Sequence, residues 1–291
     1  MMDTTLQPTD LAEALEMRAA HPEALPIAGG TDLMVELNFD RRRPDRMMDL
    51  GRVAELRGWE RENGGLRLGA GITYAEIVRE LGGPAPGLAI ASRTVGSPQI
   101  RNRGTVGGNL GTASPAGDAL PPLLAAGADV GLASAGGTRR VAVADFCTGP
   151  KRNVLAPDEL IVDVRLPAAR GPQQFAKVGP RNAMVISVCS FALSLDPQAR
   201  SVGTGIGSAA ATVIPAGEAE RFLEGVVEER GLWESRGPLA EAELARFGDL
   251  VGAGARPIDD VRGSAAYRRH ALGVLGRRTL AWAWDEYRGA G

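Results

Sequence analysis

The feature that most constrains this chain is a pair of glycine-rich turns, each placed before an apolar stretch. The first, AGGTD, occupies residues 28–32, and the second lies within RNRGTVGGNLGTASPAGD, residues 101–118, which holds five glycines. Glycine permits backbone conformations and close approaches that a Cβ would forbid. Backbone amides at a helix N-terminus also attract anions. The turns therefore predict either an anion-binding site or tight packing between loops.

Neither turn matches a known phosphate-binding fingerprint. GxGxxG and GxxxxGK[ST] are both missing, and neither turn contains a lysine. Two such turns could still bind the two phosphates of a dinucleotide. Asp32 would repel a phosphate, so we expect it to cap its helix or to offer only its amide, whereas Asp118 is better placed to accept hydrogen bonds from a ribose. From local chemistry alone, nucleotide binding and structural packing remain equally open.

A third glycine-rich stretch, GTGIGSAA at 203–210, is interpreted differently. It is more similar to a Rossmann loop than the first two turns are. However, neither a helix-length amphipathic stretch nor an acidic ribose partner follows at the right distance. We predict a strand that contains glycines.

Composition excludes several classes of function. The chain has 291 residues, a net charge of −2 and 4% aromatic residues, which does not fit a nucleic-acid-binding surface. The apolar runs are too short for a bilayer and the N-terminus is polar, so we expect a cytoplasmic protein. Cys147 and Cys189 are far apart and are interpreted as buried apolar residues, and His21 and His270 as surface or helix-end residues.

Periodicity and turn residues predict two parts joined by a linker at 167–172. In the first part, a helix capped by Thr9 or Asp10 is followed by a strand at 24–28 and a helix from Asp32. Further strands are expected at 47–57, 66–70, 129–133, 141–146 and 160–166, with helices at 72–81 and 120–127. The second part has strands within 183–195 and 202–213, then helices at 216–229, 238–251 and 264–287. In the last helix, Tyr267, Ala271, Val274 and Leu275 are expected to face a core.

Five motifs in order carry a resemblance over nearly the whole chain: PIAGGTDL, SPQIRNRGTVGGNLGTASPAGD, DELIVDVRLP, FAKVGPRNAMVIS and VRGSAAYRRHALGVLGRR. Together they resemble the FAD-binding medium subunit of the molybdenum hydroxylases, the xanthine dehydrogenase and carbon monoxide dehydrogenase family. TVGGN followed by SPAGD at this spacing is specific to that family.

The resemblance implies an α+β fold. Residues 1–169 would be an FAD-binding domain of the vanillyl-alcohol-oxidase-like type, with subdomains at about 1–56 and 57–169. Residues 172–291 would be a C-terminal α+β domain with an antiparallel sheet. FAD would lie in this chain, which would hold no metal site. The molybdenum cofactor would belong to a large partner subunit and the [2Fe–2S] clusters to a small one, in a dimer of heterotrimers that passes electrons to NAD or another acceptor.

The resemblance also assigns site residues. The first loop would contact the FAD diphosphate mostly through backbone amides, Asp118 would bind the adenosine part, Ile161 would pack against the isoalloxazine and Lys177 would lie near the flavin. Without the resemblance, Lys177 would be interpreted as a charged side chain at the protein surface. The flavin itself does the redox chemistry, so no catalytic side chain is expected. The full set is Ile27, Ala28, Gly29, Gly30, Thr31, Asp32, Leu33, Thr105, Val106, Gly107, Gly108, Asn109, Ser114, Asp118, Ile161 and Lys177.

Two other functions remain open at this stage. A stand-alone flavoprotein oxidase could share the FAD fold, although neither histidine lies in a flavin loop. The second is a non-catalytic scaffold that has lost its FAD site, although the glycines and Asp118 that would form this site are intact. The sequence of this chain does not determine the substrate of the whole enzyme. The motifs slightly favour the xanthine-dehydrogenase-like branch of the family.

Overall fold

The computed structural model describes residues 4–289. The chain begins with a small parallel sheet in the order β1-β3-β2. Its elements are β1 Thr4–Leu6, α1 Leu11–Ala20, β2 Leu25–Ile27, α2 Leu33–Asn38 and β3 Arg46–Asp49. Helix α1 begins as predicted, because the Asp10 carboxylate accepts a hydrogen bond from the Glu13 amide at 2.8 Å. The predicted strand at 47–57 is wrong beyond Asp49, where two short 3₁₀ turns follow.

A five-stranded antiparallel sheet follows, in the order β4-β5-β10-β6-β7. Its strands are β4 Trp59–Glu62, β5 Gly65–Gly69, β6 Asp129–Ser134, β7 Gly137–Ala142 and β10 Leu160–Pro167, with β8 Cys147–Gly149 paired to β9 Arg152–Asn153. The helices are α3 Tyr74–Glu80, α4 Pro86–Arg93, α5 Pro98–Arg101, α6 Val106–Thr112, α7 Leu120–Ala125 and α8 Val143–Phe146. The strand predicted at 141–146 is wrong: β7 ends at Ala142, and Val143 and Phe146 are buried from the short helix α8.

The C-terminal part is a three-stranded antiparallel sheet covered by helices. Strands β11 Gln173–Val178, β12 Cys189–Asp196 and β13 Ser201–Gly207 are followed by α9 Gly217–Glu229, α10 Leu232–Ser235, α11 Glu241–Gly254 and α12 Ala265–Gly289. Ala271 and Leu275 of α12 are buried as predicted, whereas Tyr267 and Val274 are exposed, so half of the predicted face was wrong. Among residues 4–289, no helix combines the length and the apolar character needed to cross a bilayer.

The stretch at 203–210 begins as a strand, as predicted, and its glycines have a packing role. A Cβ on Gly203 would lie 2.0 Å from the carbonyl oxygen of Ala125, and one on Gly205 would lie 2.2 Å from that of Pro121. Both oxygens belong to α7. The glycines therefore let a helix of the first part lie directly on β13, which brings the C-terminal sheet to the region of the second glycine turn.

Candidate functional site

The two glycine turns and residues 184–186 of the C-terminal part meet around one cavity of ≈ 690 Å³. This volume lies within the range of small-molecule and cofactor sites. Of the predicted site residues, all but two line it: Ile27, Ala28, Gly29, Gly30, Thr31, Asp32, Leu33, Thr105, Gly107, Gly108, Asn109, Ser114, Asp118 and Ile161. Val106 lies instead in the hydrophobic core, and Lys177 reaches the site through Asp118.

The first turn offers hydrogen-bond donors to the cavity. Within residues 4–289, no protein acceptor receives the amides of Gly29, Gly30, Thr31 or Asp32. Gly30 has φ +74°, a left-handed conformation that favours glycine. Successive free amides in residues that line one cavity can bind an anionic group such as a phosphate.

The second turn contains a helix that the sequence analysis did not predict. TVGGN forms the start of α6, with Thr105 as its N-cap, and the predicted helix after the turn is present as α7. The amide of Gly107 donates to the carbonyl of Ala70 at 2.8 Å, and that of Gly108 donates to Thr105 Oγ1 at 3.0 Å. Because the protein already uses these donors, the second turn is available to a ligand mainly through side chains and open space.

The glycines of the second turn fall into two kinds. A Cβ on Gly107 would lie 2.7 Å from the Cβ of Ala70, so this glycine is required for packing. A Cβ on Gly111 would meet only Ile161 Cδ1, at 3.7 Å. Gly111 therefore keeps a wall of the cavity open, a role that protein packing does not explain.

Asp32 does not cap α2 with its side chain, contrary to one of the two roles expected for it. Its carboxylate instead accepts a hydrogen bond from Thr112 Oγ1 at 3.1 Å. The two turns also touch directly, since a Cβ on Gly29 would lie 1.9 Å from the carbonyl oxygen of Arg103. The two loops are thus fixed against each other, and the width of the cavity between them is preset.

Asp118 and Lys177 form a buried ion pair at the cavity wall. Lys177 Nζ lies 2.6 Å from Asp118 Oδ2, and the two side chains are 8% and 10% exposed. Lys177 also donates to the carbonyls of Thr94 and Val185, at 2.9 and 3.2 Å. Burial raises the pKa of Asp118, and the positive charge of Lys177 offsets part of that rise. The surface-charge interpretation of Lys177 is wrong, because β11 brings it to the acid.

Two hydroxyl groups near this pair were missed by the sequence analysis. Ser187 Oγ donates to Asp118 Oδ1 at 3.5 Å and lies 3.0 Å from Ser208 Oγ. Both serines come from the C-terminal part, 69 or more residues from Asp118 along the chain. No local pattern around a lone serine signals such a contact, so only the tertiary structure reveals it.

These observations fit a bound dinucleotide flavin. The free amides of the first turn suit its diphosphate, and the open wall at Gly111 and Ile161 leaves room for a ring system. Asn109 Oδ1 is buried in the cavity wall without a hydrogen-bond partner among the described residues. A buried polar atom is normally satisfied, so this one points to a polar group that a ligand supplies.

Comparison with known families and proteins identifies the family of this chain. Residues 1–169 match the FAD binding domain in molybdopterin dehydrogenase, and residues 174–283 match the CO dehydrogenase flavoprotein C-terminal domain. The putative xanthine dehydrogenase FAD-binding subunit of Escherichia coli K12 is 29% identical, with 94% of this chain and 93% of that protein covered. The nicotinate dehydrogenase FAD-subunit of Eubacterium barkeri is 36% identical over 62% of this chain and 64% of that protein.

Solved structures show the same fold. Quinoline 2-oxidoreductase from Pseudomonas putida 86 superposes with a TM-score of 0.88 at 25% identity, and the match covers 98% of each chain. Carbon monoxide dehydrogenase from Hydrogenophaga pseudoflava gives 0.87 at 25% identity over 97% of each chain. The sequence-based resemblance, the two-part α+β fold and the assignment of FAD to this chain are confirmed. This chain belongs to the FAD-binding medium subunits of the molybdenum hydroxylase family.

Proposed function

We propose that this chain is the electron-transfer subunit of a multi-subunit molybdenum hydroxylase. In this proposal it receives electrons from [2Fe–2S] clusters of a small partner subunit and delivers them to NAD or another external acceptor. A large partner subunit would hold the molybdenum cofactor, and the complex would be a cytoplasmic dimer of heterotrimers. The observation that carries the proposal is one cavity lined both by the first turn, whose four amides have no protein acceptor among the described residues, and by Asp118, which is paired with the buried Lys177.

The residues of this chain have three tasks in that function. The free amides of the first turn would hold the diphosphate, and Asp118 and Asn109 would orient the sugar portions. Ile161, 9% exposed, would pack against the ring system and exclude water from one of its faces. FAD supplies the one- and two-electron chemistry when bound, so the protein needs to bind, orient and shield rather than to transfer protons itself.

The reaction class of the whole complex is proposed to be oxidation of a small molecule, with a xanthine-dehydrogenase-like enzyme as our first candidate. The relatives belong by name to enzymes of different substrates, including xanthine, nicotinate and nicotine. Because similar FAD subunits serve such different substrates, we assign substrate recognition to the large partner subunit.

Visible absorption of the purified chain tests the proposal. We expect flavin bands that are released on denaturation. Co-expression with a large and a small subunit should add broad iron–sulfur absorbance and give a complex that elutes as one species. A chain that binds FAD, assembles with neither subunit and reduces its flavin with a substrate by itself would instead indicate a stand-alone oxidase. A chain that cannot be reconstituted with FAD would contradict both.

A further inference from the structure

The tyrosine at the start of α3 lies in the wall of the FAD cavity. Tyr74 is 3% exposed and lines the cavity. Its position is fixed from two sides. Thr73 and Glu76 form a capping box that sets the start of the helix, and the Tyr74 amide donates to the carbonyl of Gly104 at 3.1 Å. The ring also packs against Gly104, where an added Cβ would lie 3.2 Å from Tyr74 Cε2.

The hydroxyl of Tyr74 is buried without a hydrogen-bond partner among residues 4–289. Buried tyrosine hydroxyls usually have a partner, and an unpaired one loses its interaction with water without replacement. The buried arginine and glutamate atoms that also lack hydrogen-bond partners belong to charged groups with other contacts: Arg18 and Arg268 donate through a second nitrogen, and Arg165 and Glu62 form an ion pair. In Tyr74 the unpartnered atom is the only polar atom of the side chain.

A second orphaned atom lies in the same wall. Asn109 Oδ1 is buried there and has no hydrogen-bond partner among the described residues. It lies close to Gly117, where an added Cβ would be 2.7 Å from this oxygen. Two unsatisfied polar side chains that line one cavity indicate a common polar ligand rather than two independent packing defects.

The electrostatics of the site keep the phenol a donor. Burial raises the pKa of Tyr74 far above its ordinary range, and the charge of Asp118 adds to that rise. The hydroxyl therefore remains protonated at all physiological pH values. Since Asp118 is occupied by Lys177 and Ser187, the proton of the phenol is available to an incoming acceptor.

We propose that Tyr74 is a further cofactor-binding residue, whose hydroxyl donates a hydrogen bond to an oxygen of bound FAD. The inference rests on the proposed occupation of this cavity by FAD. It predicts that the hydroxyl is unfavourable in the FAD-free protein and favourable in the complex. A tyrosine that only fills space would show neither effect.

The substitution Tyr74→Phe separates these roles, because it removes the hydroxyl and keeps the ring. We expect the FAD-free variant to resist urea as well as or better than the parent chain, since a buried unpaired group is gone. Its dissociation constant for FAD, measured by fluorescence quenching on the FAD-free chain, should rise about tenfold, as expected for one lost hydrogen bond to a polar or charged oxygen. Tyr267→Phe is the matched control, because Tyr267 is 49% exposed and lies on α12 away from the cavity; neither quantity should change.

Two results would overturn the proposal. If Tyr74→Phe binds FAD as tightly as the parent chain, the hydroxyl does not contact the cofactor, while the proposed function stands. If the parent chain itself fails to bind FAD, both this inference and the proposed function fail.

Discussion

At the scale of single residues, the site depends on charges that compensate each other in a buried environment. Lys177 was expected to place a positive charge near the flavin. In the structure that charge is paired with Asp118 at 2.6 Å, and both side chains are buried. An ion pair in such a place is costly to break from one side, since the remaining charge loses both water and partner.

Replacement of Lys177 by methionine should therefore destabilise the chain in a pH-dependent way. Burial already raises the pKa of Asp118, and without Lys177 nothing of similar strength opposes it. A carboxyl whose pKa is higher in the folded than in the unfolded state loses stabilisation as the pH rises through its folded value. Urea unfolding at about pH 5 and about pH 8 should show a deficit that grows with pH and reaches roughly 3–5 kcal/mol.

The ion pair between the exposed Lys151 and the partly buried Glu36 provides the control. Lys151 is 60% exposed, so Lys151→Met should cost less than about 1 kcal/mol, because solvent screens the pair. A Lys177→Met deficit that is equal at both pH values would show that Asp118 does not change its protonation in the variant.

At the scale of elements, two glycines of the second turn have different structural roles. Gly107 lets the start of α6 pack on Ala70, and Gly111 leaves open the wall that faces Ile161. The sequence does not distinguish these two roles, because it shows that both residues lack a side chain but not what surrounds them.

Gly111→Ala and Gly107→Ala should separate these roles. The methyl group of Gly111→Ala enters the cavity, so FAD affinity should fall about tenfold, while unfolding of the FAD-free chain is unchanged or improved. Gly107→Ala should lower the free energy of unfolding by roughly 1–3 kcal/mol, because the backbone of Ala70 must move. Titration with FAD and urea unfolding of both variants measure the two effects. Equal effects of the two substitutions would contradict the assignment.

The contact of α7 with β13 can be tested in the same manner. Gly205→Ala places a methyl group 2.2 Å from the carbonyl oxygen of Pro121, so we expect a loss of roughly 1–3 kcal/mol in unfolding free energy. Gly225→Ala, in α9 with no atom within 4 Å of the added Cβ, should instead gain about 0.5–1 kcal/mol. A neutral Gly205→Ala would mean that helix and strand are farther apart than described.

At the scale of the whole molecule, the cavity needs both parts of the chain. Lys177 and Ser187 of the C-terminal part reach Asp118 of the first part, and Ser208 contacts Ser187. We keep the boundary between domains 1–169 and 172–291, and the subdomains at about 1–56 and 57–169, as proposals.

Cleavage in the linker tests how firmly the two parts are joined. Arg170 is exposed, so a specific protease site inserted after it should be cut in the folded protein. Because α4 and α7 pack on the C-terminal sheet, we expect the two fragments to co-elute in gel filtration and to retain FAD. Fragments that separate, or that release FAD on cleavage, would show that the covalent link holds the site together.

The sequence located the elements with strong local signals. The Asp10 cap, the strands near 129–133 and 160–166 and the helices near 216–229 and 264–287 lie where periodicity and capping predict them. Strands β4, β7 and β11 were missed, because edge strands with charged or mixed side chains lack a clear alternation. The omission of β11 matters most for the site, because this strand positions Lys177.

The sequence by itself determined the candidate site residues, of which all but Val106 and Lys177 line the cavity, because glycine turns and a specific order of motifs are local properties of the chain. Only the tertiary structure decided what each residue does there. Free amides at the first turn, bonded amides at the second, the buried pair of Asp118 with Lys177 and the orphaned hydroxyl of Tyr74 all depend on partners that are distant in sequence. A hydrogen-bond partner or a buried charge is a property of two groups in space, and no single stretch of sequence contains both.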